Sequence, residues 1–205
     1  IGTLVNAWNF GSEQSKTKLD SLKIDSLMQF VDFEKIQLKN NTLIKTDPKP
    51  YIDFNAIAKG YAVDLVAEFL ESKYVANYLV NIGGELRTKG LNVEKQSGWT
   101  VAIENPNFDG SQSYDKVFVL KDKAMATTGT YRKFKLDANG KRYAHIIDTK
   151  TGYPTKTNIL SVSVIAEDCI MADGYATAFQ AMGVERVKQF LTEHSELQAY
   201  LIFEN

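Results

Sequence analysis

Residues Ala126–Pro154 read ATTGTYRKFKLDANGKRYAHIIDTKTGYP, and the parsing of this stretch decides the fold. It opens on Thr127-Thr128-Gly129, continues through Tyr131-Arg132, and closes on His145-Ile146-Ile147-Asp148 running into Thr151-Gly152-Tyr153-Pro154. Asn139-Gly140 between the two parts is a two-residue hairpin signal, because both residues tolerate the positive φ that such turns need. The stretch therefore predicts paired strands carrying small hydroxyls and a histidine close enough to share one pocket. Gly152 and Pro154 are turn residues, so His145 and Asp148 are expected near a strand end. A histidine flanked by isoleucines fits a packed strand residue as well as a catalyst. Asp148, three positions on in a strand, projects to the opposite face from His145 and is assigned a structural role.

Outward from this stretch, composition bounds the class. The chain has 205 residues, enough to bury one sizeable core or two small lobes. Hydrophobic residues make up 44% and charged residues 24%, a balance that argues against disorder. Net charge is -1 with the two signs interspersed, so no basic stripe indicates a nucleic-acid partner. Cys169 is the only cysteine, which rules out an internal disulfide and a Cys/His metal cluster; its apolar setting suggests an inert core thiol. No apolar run approaches the roughly 18 residues a membrane span requires. Ile1-Gly2-Thr3-Leu4-Val5 lacks an initiator Met and begins at once with strand-like text, which suggests a processed or truncated chain.

In chain order, Leu4–Gly11 is a short apolar segment and residues 12–18 a polar loop. Lys23–Val31 suits an amphipathic helix, with Ile24, Leu27, Met28 and Val31 at helical spacing. Residues 36–39 and 42–45 flank Asn40-Asn41 as a compact hairpin. Tyr51–Leu70 reads as a helix entered through Asp53 or Asn55 as caps, with Ile57, Tyr61, Leu65 and Phe69 stacked at four-residue intervals. Lys59-Gly60 in its first turn is unusual, since glycine costs about 1 kcal/mol against alanine in a helix and lysine opposes the dipole there. Either a phosphate sits at this helix start, or Gly60 is a packing glycine beside a solvated lysine.

Tyr78–Ile82 is a buried strand ending in the Gly83-Gly84 turn, and residues 99–105 and 116–121 alternate as half-buried antiparallel strands. Residues 159–166 form another strand, followed by a helix from about Asp168 to Met182, a second helix over 184–194 and a terminal strand over 198–203. Asp173 and Thr177 lie four apart on one helical face. A carboxylate with a hydroxyl suits Mg²⁺; the same pair also suits a hydrogen bond that closes the helix onto a neighbour. The whole reads as α+β, with antiparallel sheets and packed helices, in one domain or two intimately packed lobes.

The ordered set LVNAWNFG, DFNAIAKGYAVD, LVNIGGEL, ATTGTYRKF, HIIDTKTGYP and ADGYATAF resembles the FAD:protein FMN transferase family, the ApbE-like flavin transferases. The matches extend to about Gly183. The resemblance implies one T-fold-related domain over residues 1–205, lacking the segment that precedes LVNAWNFG in the family. It implies enzymes that use Mg²⁺ to split FAD and attach FMN to a threonine of a target flavoprotein, releasing AMP. Mapped onto this chain, Ala56 would give a backbone carbonyl to the metal beside Asp173 and Thr177. Asp53, Lys59, Thr128 and Ile147 would contact FAD, and His145 would be the base for the acceptor threonine. The family pattern has proline where Thr149 stands, and glutamate in some members where Lys59 stands. The acceptor is expected to be a subunit of a redox or respiratory complex, the location extracytoplasmic, and membrane attachment through an N-terminal lipid anchor. Hydrolysis of FAD to FMN and AMP and a non-catalytic flavin-binding role are the alternatives.

Overall fold

The computed structural model describes residues 1–11, 13, 19–107, 109, 111–130, 134–136 and 142–204. Tyr131, Arg132, the Asn139-Gly140 turn and most of the 12–18 segment lie outside these residues. In chain order the elements are α1 (Gly2–Ala7), α2 (Ser21–Met28), β1 (Ile36–Lys39), β2 (Thr42–Lys45), α3 (Ala58–Ser72), β3 (Tyr78–Ile82), β4 (Glu85–Lys89), β5 (Trp99–Glu104) and β6 (Tyr114–Leu120). There follow β7 (Ala124–Gly129), β8 (Phe134–Leu136), β9 (Arg142–Ala144), β10 (Ile159–Ala166), α4 (Cys169–Met182), α5 (Val184–Glu193) and β11 (Gln198–Phe203). No helix among the described residues is long and apolar enough to cross a membrane. The chain divides into two compact units, Ile1–Asp53 with Phe134–Lys156, and Phe54–Lys133 with Thr157–Asn205.

In the first unit the opening segment is helical, not strand-like. Ile1, Leu4, Val5 and Trp8 recur at helical spacing, and Leu4 is fully buried beside Ile24 of α2 and Ile147. Asp20 caps α2 by accepting from Lys23 N at 2.8 Å. Gly152 has φ +76, and a Cβ there would lie 2.8 Å from Ile24 Cγ2 and 2.9 Å from Met28 Sδ, so only glycine fits this turn. The β1–β2 hairpin turns through Asn40 and Asn41, both at positive φ, as a two-residue primed turn requires. β9 pairs with β8, whereas the Thr127-Thr128 strand β7 pairs with β10 and β4. The threonines and His145 are therefore not on partner strands of one hairpin, contrary to the expectation from sequence.

The second unit is built on a five-stranded antiparallel sheet in the order β11-β10-β7-β4-β3. Strand alternation assigns its two faces. Ala126, Val162 and Val164 pack with Ala172, Ala176 and Phe179 of α4, while Ala124 and Val80 pack with Val63 and Ala67 of α3. On the other face, Met125 and Leu86 pack with Val101, Ile103 and Leu120 of the β5–β6 hairpin. Each face thus buries an apolar layer.

The helix α3 shows which side the sequence pattern misassigned. Tyr61, Leu65 and Phe69, the four-residue row expected to face the core, are exposed, and the buried face is Gly60, Val63, Asp64 and Ala67. Small residues won because α4 crosses close by: a Cβ on Gly60 would lie 2.3 Å from the Cys169 carbonyl oxygen. The N-cap position of α3 is Ile57, whose side chain makes no cap bond, rather than Asp53 or Asn55. In contrast, the start of α4 is fully provided for. Asp168 accepts from Met171 N at 3.0 Å, and Asp64 of α3 accepts from Cys169 N at 2.9 Å and Ile170 N at 2.8 Å. Asp64 is itself paired with Arg87 of β4 at 2.8 Å.

Candidate functional site

Lys59, Ala56, Thr128, Asp173 and Thr177 all belong to the second unit. Alternation along β7 points Thr128 to the same side as Ala124 and Ala126, toward α4, where its hydroxyl lies 3.2 Å from that of Thr177. Asp173, one turn before Thr177, is 4% exposed. Its Oδ2 accepts the Gly60 backbone N–H at 2.9 Å. Asp173 and Thr177 are therefore not bonded to each other: the side-chain bond of Asp173 runs to α3 and that of Thr177 to β7. Among the described residues the Asp173 carboxylate makes this one hydrogen bond, on Oδ2.

The bond from Gly60 also completes the start of α3. Gly60 is the third residue after the N-cap Ile57, and amides in a helix's first turn have no intrahelical acceptor. The helical ladder opens with Tyr61 N to Ile57 O at 2.9 Å, and Gly60 N finds its acceptor in Asp173. Among the described residues no donor reaches the Ala56 carbonyl, which precedes the helix. Of the two open readings of Lys59-Gly60, close packing by the glycine is what the contacts bear out, and the Gly60 N–H is taken by the Asp173 carboxylate.

Lys59 is not simply solvated. Its ammonium donates to Glu85 Oε1, with Lys59 half exposed and Glu85 1% exposed. Glu85 Oε2 is buried and, among the described residues, has no hydrogen-bond partner. Burial pushes the Glu85 carboxyl above the usual carboxylate range, Lys59 pulls it back, and the Asp173 charge pushes the same way as burial. Burial likewise raises Asp173, opposed by the Gly60 N–H and by the Lys59 charge. Two carboxylates and one ammonium thus form a net-negative cluster in a half-desolvated corner. Glu85 was missed from sequence, where Gly83-Gly84 was read as turn geometry. The available signal was parity: Glu85 and Arg87 flank buried Leu86, so both point to the helix side.

Cys169 is fully buried, and burial with neighbouring carboxylates pushes its thiol up, consistent with an inert core residue. Among the described residues no three His, Cys, Asp or Glu side chains cluster in a way that could hold a metal. A cation here would depend on one carboxylate with neutral oxygens.

Asp53, His145 and Ile147 belong to the first unit. His145 follows β9 directly, half-buried, with its ring 6.1 Å from that of Phe10. Phe10 in turn contacts Tyr143, and Tyr143 contacts Trp8, whose indole N–H donates to the Gly152 carbonyl at 2.9 Å. The LVNAWNFG and HIIDTKTGYP segments are therefore stitched together by aromatic rings. Ile147 is 5% exposed, and its side chain is part of the core with Leu4 and Ile24. Asp148 Oδ1 accepts from Lys150 N at 2.7 Å, a turn-forming bond that agrees with a structural role. Asp53 is half-buried.

Comparison with known proteins bears on the chain as a whole. The model of the ApbE family matches residues 1–201. The FAD:protein FMN transferase of Haemophilus influenzae is 39% identical over 98% of this chain and 59% of its own length. That of Vibrio cholerae is 40% identical over 91% of this chain and 55% of its own. The solved flavin transferase ApbE from Vibrio cholerae superposes with a TM-score of 0.87 at 37% identity, covering all of this chain and 64% of that one. The apo flavinyl transferase ApbE of Pseudomonas stutzeri gives 0.83 at 30% identity, covering 98% and 61%. The chain spans about three-fifths of the length of these relatives. With a matching family model over nearly its whole length and the same mixed helix and antiparallel-sheet fold, the chain belongs to the ApbE family.

Proposed function

We propose that this chain is the Mg²⁺-dependent part of a transferase that cleaves FAD and attaches FMN to a threonine of a flavoprotein. The observation that carries the reading is Asp173, a buried carboxylate one turn from Thr177 on α4, with one oxygen held by the Gly60 N–H and the other in no hydrogen bond among the described residues. Ala56 O, Asp173 Oδ1 and Thr177 Oγ1 are hard oxygen donors, and their type and free valences fit Mg²⁺ with water and phosphate oxygens completing its shell. These three residues would hold the ion, which when bound supplies charge neutralisation to a diphosphate.

Lys59 adds a positive group for the diphosphate oxygens, restrained by Glu85. Thr128 supports Thr177 through their hydroxyl contact. His145 takes the proton from the acceptor threonine as its Oγ bonds to the FMN phosphorus. The bond from that phosphorus to the bridging oxygen breaks, and AMP leaves carrying that oxygen. The aromatic contacts behind His145 fix its ring, as a positioned base requires. The expected stoichiometry is one AMP released per FMN retained on the acceptor. Chromatographic assay of AMP against acceptor-bound flavin tests this, and AMP in large excess over bound flavin would favour hydrolysis instead.

The reading includes an extracytoplasmic location with lipid attachment, and an acceptor subunit in a redox or respiratory complex. Both come from the family resemblance read in the sequence. Protease accessibility in intact spheroplasts tests the location.

A further inference from the structure

We propose that Glu85 is a positioning residue: it holds the Lys59 ammonium as its counter-ion and so reserves the Asp173 carboxylate for the cation. The inference rests on the metal reading given above. Lys59 immediately precedes Gly60, whose N–H is bonded to Asp173, and the Lys59 charge already acts on Asp173. A flexible lysine so placed competes with a metal for that carboxylate unless another anion engages it. Glu85 does so, from a strand position fixed by the Gly83-Gly84 turn and by the parity of β4.

The arrangement is unfavourable for stability. Glu85 is 1% exposed, one of its oxygens is buried with no hydrogen-bond partner among the described residues, and its companion Lys59 is half exposed. Packing alone is served better by an apolar side chain there. A buried acid that weakens the fold and restrains one cation beside one carboxylate is explained by the site it serves.

The test is Mn²⁺ binding without FAD, followed by electron paramagnetic resonance, on the wild-type chain, Glu85→Gln, Lys59→Gln and the double variant. Thermal melting confirms that each is folded. Glu85→Gln frees Lys59 to approach Asp173, and Mn²⁺ affinity is expected to fall by about tenfold or more, in line with one unit charge shifted by a few ångströms. Adding Lys59→Gln is expected to restore it. Wild-type affinity in Glu85→Gln overturns the proposal, as does an equal loss in the double variant, since a merely structural role is not rescued by removing lysine. A wild-type chain that binds no Mn²⁺ overturns the metal reading itself, and this proposal with it.

Discussion

The Gly60 backbone N–H is bonded to Asp173 Oδ2 at 2.9 Å, and this bond joins the start of α3 to the middle of α4. It satisfies an amide that the helix start leaves without an intrahelical acceptor, holds the carboxylate in place, and needs a glycine to let the helices approach. Structure and site thus share one contact.

Gly60→Ala is expected to damage both. The added methyl meets the Cys169 carbonyl oxygen and the Asp173 Cβ, backbone and near-backbone atoms that cannot swing away. A loss of about 1–3 kcal/mol is expected by urea denaturation, against the gain that alanine gives in an open helix. Mn²⁺ affinity should fall with it.

Asp173→Asn separates fold from function. The amide oxygen can still accept from Gly60, while the formal charge on the metal face is gone. Melting temperature at neutral pH should hold or rise, and Mg²⁺-dependent transfer should disappear. Retained Mg²⁺-dependent turnover would remove Asp173 from the ligand set.

Asp64 makes the opposite prediction. It is 5% exposed, accepts from two α4 amides and pairs with Arg87. Asp64→Ala leaves those amides and the guanidinium without their partner, and a loss of about 3–5 kcal/mol is expected in a denaturant titration. Asp64→Asn should recover only part of it.

Glu85 and Asp173 both have carboxyl groups raised above the usual range, chiefly by burial. For such acids the native state holds protons that the unfolded state has already released. Stability should therefore fall as pH rises from the ordinary carboxylate range through the raised values, and recover on acidification within that window. A metal-free melting series should show this slope, and Glu85→Gln with Asp173→Asn should flatten it. An unchanged slope in the double variant would assign it to other groups.

Much of the fold was legible in local pattern. The helix from about Asp168, the strand over 159–166 and the Asn40-Asn41 turn are signals carried within a few residues, and each became the expected element. The errors came where tertiary contact outweighed pattern. The Tyr61, Leu65 and Phe69 row outscored Gly60, Val63 and Ala67 in hydrophobicity, yet the close crossing of α4 selected the small face. Ile1–Val5 looked like a strand because the apolar text was short, although its spacing also fits a helical turn. At the site, Asp173 and Thr177 were visible from their shared face, and Thr128 from the strand. Glu85 was not, because its meaning depends on Lys59, which is distant in sequence.

The most direct test of the central claim is the intact mass of a threonine-bearing acceptor flavoprotein subunit after incubation with this chain, FAD and Mg²⁺. The account predicts one added FMN on threonine, absent with chelator, with Asp173→Asn or with His145→Ala. An adduct that forms equally with Asp173→Asn or in chelator would contradict it, as would free FMN and AMP with the acceptor unmodified.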